Sequence, residues 1–168
     1  MNGVPTGIAS LATPEAVTGL LPGHDFADSL RVLLKGETLT AAEAARRAFA
    51  HPPAWTQALM RLRNRIVGLF GLKAAGDFTT AAQTIGGFPI VSESPGRVVL
   101  GFDDHHLDFR IVIEAAATGP GTAGQGTAVT VSTVVRTHNL LGRAYLAAVM
   151  PFHKIISRDS MRRIATES

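Results

Sequence analysis

Residues 128–167, AVTVSTVVRTHNLLGRAYLAAVMPFHKIISRDSMRRIATE, decide the fold. From Ala128 to Thr137 the chain is rich in β-branched residues and apolar or Thr/Ser on both faces. That pattern predicts a central strand buried on two sides. Asn139 follows as a natural N-cap, and a helix is expected from there to about Glu167, roughly 40 Å at 1.5 Å per residue. Leu141, Tyr145, Ala148, Phe152 and Ile155 are expected to line its apolar side, with Arg143, Arg158 and Arg162 away from that seam. Pro151 lies inside the helix, where it removes one backbone bond and predicts a kink near Ala147.

Upstream of this unit the sequence period is two. Phe88 to Ser94 reads as a strand, Pro95-Gly96 as a tight turn, and Arg97 to Asp103 as the partner strand, with Val98, Leu100 and Phe102 on one face. Asp103-Asp104 turns the chain into a longer strand from His105 to Ala117. Leu107, Phe109, Ile111 and Ile113 share one face of it; His106, Asp108, Arg110 and Glu114 share the other. Gly119 to Gly126 is a glycine-rich hairpin loop. It lacks the Lys-Ser/Thr ending of a phosphate-binding loop.

Further back, Phe26, Asp28, Leu30, Val32 and Leu34 fall on one face of a first strand, and apart from Asp28 that face is apolar. Thr40-Ala41-Ala42-Glu43 is a capping box, opening a helix to about Ala50. After His51-Pro52-Pro53, a second helix is expected, with Trp55, Leu59, Leu62, Ile66 and Leu69 inward and Arg61 and Arg65 outward, ending at Gly71. Ala74 to Gly87 reads mostly as loop, with room for a short strand. At the N-terminus, Thr13-Pro14-Glu15 is expected to open a short helix capped by Thr13 and ended by Pro22-Gly23. Residues 1–23 therefore read as an N-terminal helical extension and 24–168 as the core of a single domain. Consecutive strands with short turns favour antiparallel pairing, and helices on one face of such a sheet make the class α+β.

Composition bounds the function. The chain has 168 residues, is 46% hydrophobic and contains no cysteine. A chain this long buries roughly 70% of its unfolded surface, so a sizeable core is expected without cross-links. Disulfides, thiolate metal sites and a cysteine nucleophile are excluded. The net charge is +3, with one Trp and one Tyr. The bases are spread over several helices and stacking aromatics are scarce, so a nucleic-acid partner is not expected. The most apolar window, Leu140 to Ile156, is broken by Arg143, His153 and Lys154, which argues against a membrane span. The first residues lack a basic stretch before an apolar one, so a cytoplasmic location is the expectation.

The order of elements resembles the START-like helix-grip fold (SRPBCC), the superfamily of polyketide cyclase-like and lipid-transfer domains. The resemblance implies a curved antiparallel sheet packed around a long C-terminal helix, with a ligand cavity between them. More narrowly, several segments resemble an uncharacterised bacterial domain-of-unknown-function family. These are Pro53-Ala54-Trp55, Phe88-Pro89, Leu100-Gly101, His106-Leu107-Asp108-Phe109-Arg110, Thr133 to Asn139, Gly142-Arg143-Ala144-Tyr145 and Pro151-Phe152-His153. Some relatives resemble the C-terminal part of proteins that begin with an NAD(P)-binding domain. This chain has no GxGxxG between a strand and a helix, so no nucleotide cofactor of its own is expected.

Three sets of residues are candidates for a site. His106, Asp108 and Arg110 share a strand face, where a carboxylate between a His and an Arg can orient the imidazole or hold an anion; a solvated sheet face gives the same alternation. Arg136 and His138 lie where the last strand enters the long helix; Asn139 there is explained by capping, and His138 also reads as a structural histidine. Tyr145 and His153 are eight residues apart, about two turns, and fall near one helix face. A phenol and an imidazole on a cavity wall suit hydrogen bonding to a carbonyl ligand or acid–base work. A buried Tyr with a paired hydroxyl and a His beside the proline kink explain them structurally. No metal-binding spacing is present, and no GxSxG elbow supports a Ser-His-Asp arrangement. The expectation is a binding domain for a small apolar or carbonyl-containing ligand. Against it stand a cyclase- or isomerase-type enzyme in the same cavity and a non-catalytic partner of an NAD(P)-dependent oxidoreductase. A homodimer is compatible with each.

Overall fold

In the computed structural model, residues 6–51, 54, 57, 58, 61, 83–119 and 125–166 are described. The strands are β1 (Thr6–Leu11), β2 (Phe26–Lys35), β3 (Thr84–Ile85), β4 (Phe88–Ser94), β5 (Arg97–Asp103), β6 (Leu107–Thr118) and β7 (Gly126–Thr137). The continuous helices among the described residues are α1 (Glu15–Thr18), α2 (Ala41–Phe49) and α3 (Leu140–Thr166), and Ala54, Gln57, Ala58 and Arg61 are also helical. The helix expected over Trp55 to Leu69 and the tip of the Gly119–Gly126 loop lie largely outside the described residues.

All strand pairs are antiparallel, in the order β1-β2-β7-β6-β5-β4-β3. The architecture is α+β, as the alternation of the strands and the length of α3 require. β7 sits between β2 and β6, in keeping with its two-sided apolar pattern. Its register aligns Phe26 with Val135, Asp28 with Thr133 and Leu30 with Val131 on one side. On the other side Phe109 aligns with Val135 and Ile111 with Thr133. Since side chains alternate between faces, these residues share one face of the sheet. α2 and α3 pack against that face and each other.

The helix ends follow from local chemistry. The Thr40 hydroxyl accepts from the Glu43 N–H while the Glu43 carboxylate accepts from the Thr40 N–H, completing the capping box of α2. Asn139 Oδ1 accepts from the Gly142 N–H at 2.9 Å, which caps α3. Gly142 is buried because the helix start lies on the β5–β6 connection: a Cβ there would overlap the carbonyl oxygen of His106. The C-terminal end of α3 is anchored by Met161 and Ile164, both fully buried with Ala44, Ala45 and Ala48 of α2 and with Leu100 and Ile113 of the sheet.

Four expectations are corrected. Thr6–Leu11 is an edge strand on β2, and among the described residues 6–23 helix is confined to α1. Pro14, not Thr13, occupies the N-cap of α1; the Thr13 hydroxyl instead accepts from Ser29 Oγ at 3.2 Å. The helices are not all on one face of the sheet, because Val17 of α1 and Leu21 after it pack on the second face with Val99, Val112 and Val134. Finally, the apolar seam of α3 is rotated. Phe152 is 43% exposed, Ile155 58% and Ala148 is exposed, whereas Gly142, Ser160, Met161 and Ile164 are buried. The inward stripe lies roughly a third of a turn from the expected one. Apolar residues occur all around the first half of this helix, so hydrophobicity alone underdetermines its rotation. Arg143, Arg158 and Arg162 are exposed, as expected.

Candidate functional site

Between the anchored end of α3 and its capped start, the helix stands off the sheet over a pocket of about 410 Å³. Phe26, Leu30, Phe109, Val131 and Val135 of the strands form its floor. Leu146, Val149, Met150 and Ile156 of α3 form its roof, and Phe49 and Phe88 close one side. The aromatic rings pack edge to face, Phe49 on Phe88 at 5.9 Å and Phe88 on Phe109 at 5.6 Å between centroids. That is the favoured geometry for rings whose faces are electron-rich and whose edges are not. The volume falls within the ~300–1,000 Å³ of small-molecule sites.

Polar groups interrupt this lining. Tyr145, His153, Ser157, Ser160 and Arg163 come from α3, Asp28 and Thr133 come from β2 and β7, and Gln57 adds its amide. His153 Nε2 lies 2.9 Å from Asp28 Oδ2. A carboxylate can only accept, so Nε2 carries a proton, and in the neutral ring the lone pair is then on Nδ1. The ring is further held by Phe26, which meets it edge-on at 5.3 Å. Ser157 Oγ is 3.2 Å from Nε2 and 3.4 Å from Nδ1. A hydroxyl nearly equidistant from both nitrogens lies on neither in-plane axis, so it is not aligned to pass a proton to the ring.

Asp28, His153 and Ser157 thus meet, although they are a strand and a helix apart in the sequence. Asp28 was visible there as the one carboxylate on the apolar face of its strand, which was the available signal. Ser157 follows His153 by four residues, one helical turn, but a serine one turn from a histidine is too common a spacing to be a signal.

Of the remaining candidates, only Tyr145 belongs to the pocket. Tyr145 lines the pocket, and behind it the buried His106 presents its ring at 90° and 6.1 Å. His106 precedes β6 instead of lying in it, and its Nδ1 is 3.4 Å from Asp104 Oδ2. Asp108 pairs with His138, Nε2 to Oδ2 at 2.9 Å, not with His106 or Arg110. Arg110 donates to the carbonyls of Phe102 and Phe109 and to Asp103. The three residues that alternation puts on one strand face therefore have three separate partners. Arg136 is exposed and, like His106, Asp108, Arg110 and His138, is not part of the pocket lining. Among the described residues, no three His, Asp or Glu side chains gather as metal ligands. No helix among them is long and apolar enough to cross a membrane.

The model of one protein family, Protein of unknown function (DUF2867), matches residues 20–160, which include β2 to β7 and all but the last turns of α3. The chain belongs to this family. No curated protein and no solved structure matches it. The matched span of this DUF2867 domain contains Asp28, His153 and Ser157 and leaves out β1 and α1.

Proposed function

We propose that this chain is a binding domain for a small, mainly apolar ligand bearing a carbonyl or similar acceptor group, held between the sheet and α3. The observation that carries the reading is the pocket itself. It is lined mainly by aromatic and aliphatic side chains, and two of its polar groups, Asp28 and Ser157, meet at His153. A fold with no use for this space would close it, because each unfilled volume forfeits packing energy. The antiparallel sheet under a long C-terminal helix also fits the helix-grip architecture of START-like domains, in which this space is the ligand site.

Native mass spectrometry of the protein purified from its own cells tests the reading. A retained small molecule, released on denaturation, is the expected result. A uniformly ligand-free protein that also fails to bind an apolar dye such as Nile red would overturn it.

A further inference from the structure

We infer that Asp28 and His153 form a proton-transfer pair that acts on an apolar ketone with an acidic hydrogen next to the carbonyl. The inference rests on the reading of the pocket as a ligand site and adds a reaction to it.

Asp28 is the first reason. Its neighbours on the same strand face, Phe26 and Leu30, are apolar and line the same pocket. A carboxylate there loses part of its hydration, a cost that an apolar residue would avoid. What the carboxylate contributes is orientation: it fixes the protonated nitrogen of His153 and leaves Nδ1 as the base. It also stabilises the positive charge the ring acquires on taking a proton. The second reason is the ring's position. It is clamped between Asp28 and the edge of Phe26 on a pocket wall, which gives a general base a defined place. The third is Ser157, whose hydroxyl sits beside the ring without being aligned to it. That geometry disfavours a nucleophilic serine and suits a donor to a carbonyl oxygen placed next to the base.

The step balances without a co-reactant. His153 Nδ1 takes a proton from the carbon beside the carbonyl. The C–H bond breaks, its electron pair forms the carbon–carbon double bond, and the carbonyl π pair moves onto oxygen as an enolate. The Ser157 hydroxyl donates to that oxygen. When the proton on Nδ1 is replaced from solvent before one is returned to the same carbon, the result is hydrogen exchange; return to a conjugated carbon gives an isomer. His153 is the catalytic residue and Asp28 a positioning residue.

The test is exchange of the α-hydrogens of α-tetralone in heavy water, followed by proton NMR, with free imidazole at equal concentration as the reference. The wild type is expected to exceed imidazole by at least about a hundredfold. His153→Gln is expected to fall to the imidazole rate, and Asp28→Ala to lose tenfold or more, while both still bind the ketone. Nitrogen NMR of the neutral His153 ring should show Nδ1 unprotonated in the wild type and a mixture of tautomers in Asp28→Ala, which checks that Asp28 sets the tautomer the base needs; the fall in exchange rate with the ketone still bound is the change that a purely structural brace does not require. Saturable binding of the ketone with exchange at the imidazole rate would overturn the inference and leave the binding reading standing. Exchange that survives His153→Gln would also overturn it. Failure of the ketone to bind at all would remove the reading beneath it.

Discussion

Asp28 of β2 and His153 of α3 lie 125 residues apart in the chain and 2.9 Å apart in the structure. Their side chains retain 30% and 15% of their exposure, so the pair is half-wetted. Such pairs couple weakly, typically below about 1 kcal/mol, because water competes for both partners. A double-mutant cycle of Asp28→Ala and His153→Gln in urea is expected to give a coupling energy in that range. A coupling of several kcal/mol would mean that the pair exists to hold α3 on the sheet.

Val149 projects from the roof of the pocket and is half-buried. Val149→Phe adds a ring to unfilled space, so it should hold or raise the melting temperature. Nile red binding should weaken at least about tenfold, since the ring takes volume the ligand needs. Calorimetry and a fluorescence titration on the same sample check both halves.

Gly142 is a different case, because its surroundings are full. The His106 carbonyl oxygen occupies the place of a Cβ, and it also accepts from the His138 N–H. Gly142→Ala should therefore push the start of α3 off the β5–β6 connection, at a cost of about 1–3 kcal/mol. Urea unfolding reads the loss directly. An unchanged midpoint would show that this end of the helix moves freely.

Asp25 joins the start of β2 to the end of β7. Its carboxylate accepts from the hydroxyl and the backbone N–H of Thr137, both at 2.7 Å. The hydroxyl bond first, and the backbone bond next, hold its pKa below the usual 3.8. A carboxyl whose folded pKa is lowered stabilises the fold above its unfolded value, and that contribution is lost as pH falls through the folded one. Melting temperature in the wild type should thus drop below about pH 4. In Asp25→Ala part of that drop should be gone, and stability near neutral pH should be lower. Identical pH profiles for the two proteins would contradict this role.

Much of the fold was legible because alternation and capping are local signals. β4 and β5 carry clean period-two patterns between a tight turn and an acidic one, and both occupy the residues the pattern indicates. The capping box at Thr40 and the N-cap at Asn139 place two helix starts for the same reason. β1 was missed because an edge strand needs no strong apolar face: Gly7, Ala9 and Ser10 are exposed. The rotation of α3 was misread because Phe152 and Ile155 are as apolar as Val149 and Ile156, and only the third dimension says which pair faces the sheet.

The candidate site was legible by halves. Tyr145 and His153 were accessible as polar residues near one helix face, and both line the pocket. The strand set, His106, Asp108 and Arg110, shared a face on paper. Burial and nearby carbonyls and acids gave each of them a partner of its own. Asp28 could be paired with His153 only through the register of β2 on β7 and the crossing of α3 above them.

The most direct measurement is a methyl and histidine-ring NMR titration of the wild type with α-tetralone. The account predicts saturable shifts at the inward residues Leu30, Val131, Val149 and Ile156 and at the ring of His153, with the outward Leu140 and Ile155 unmoved. Shifts confined to Leu140 and Ile155, or none that saturate, would contradict it.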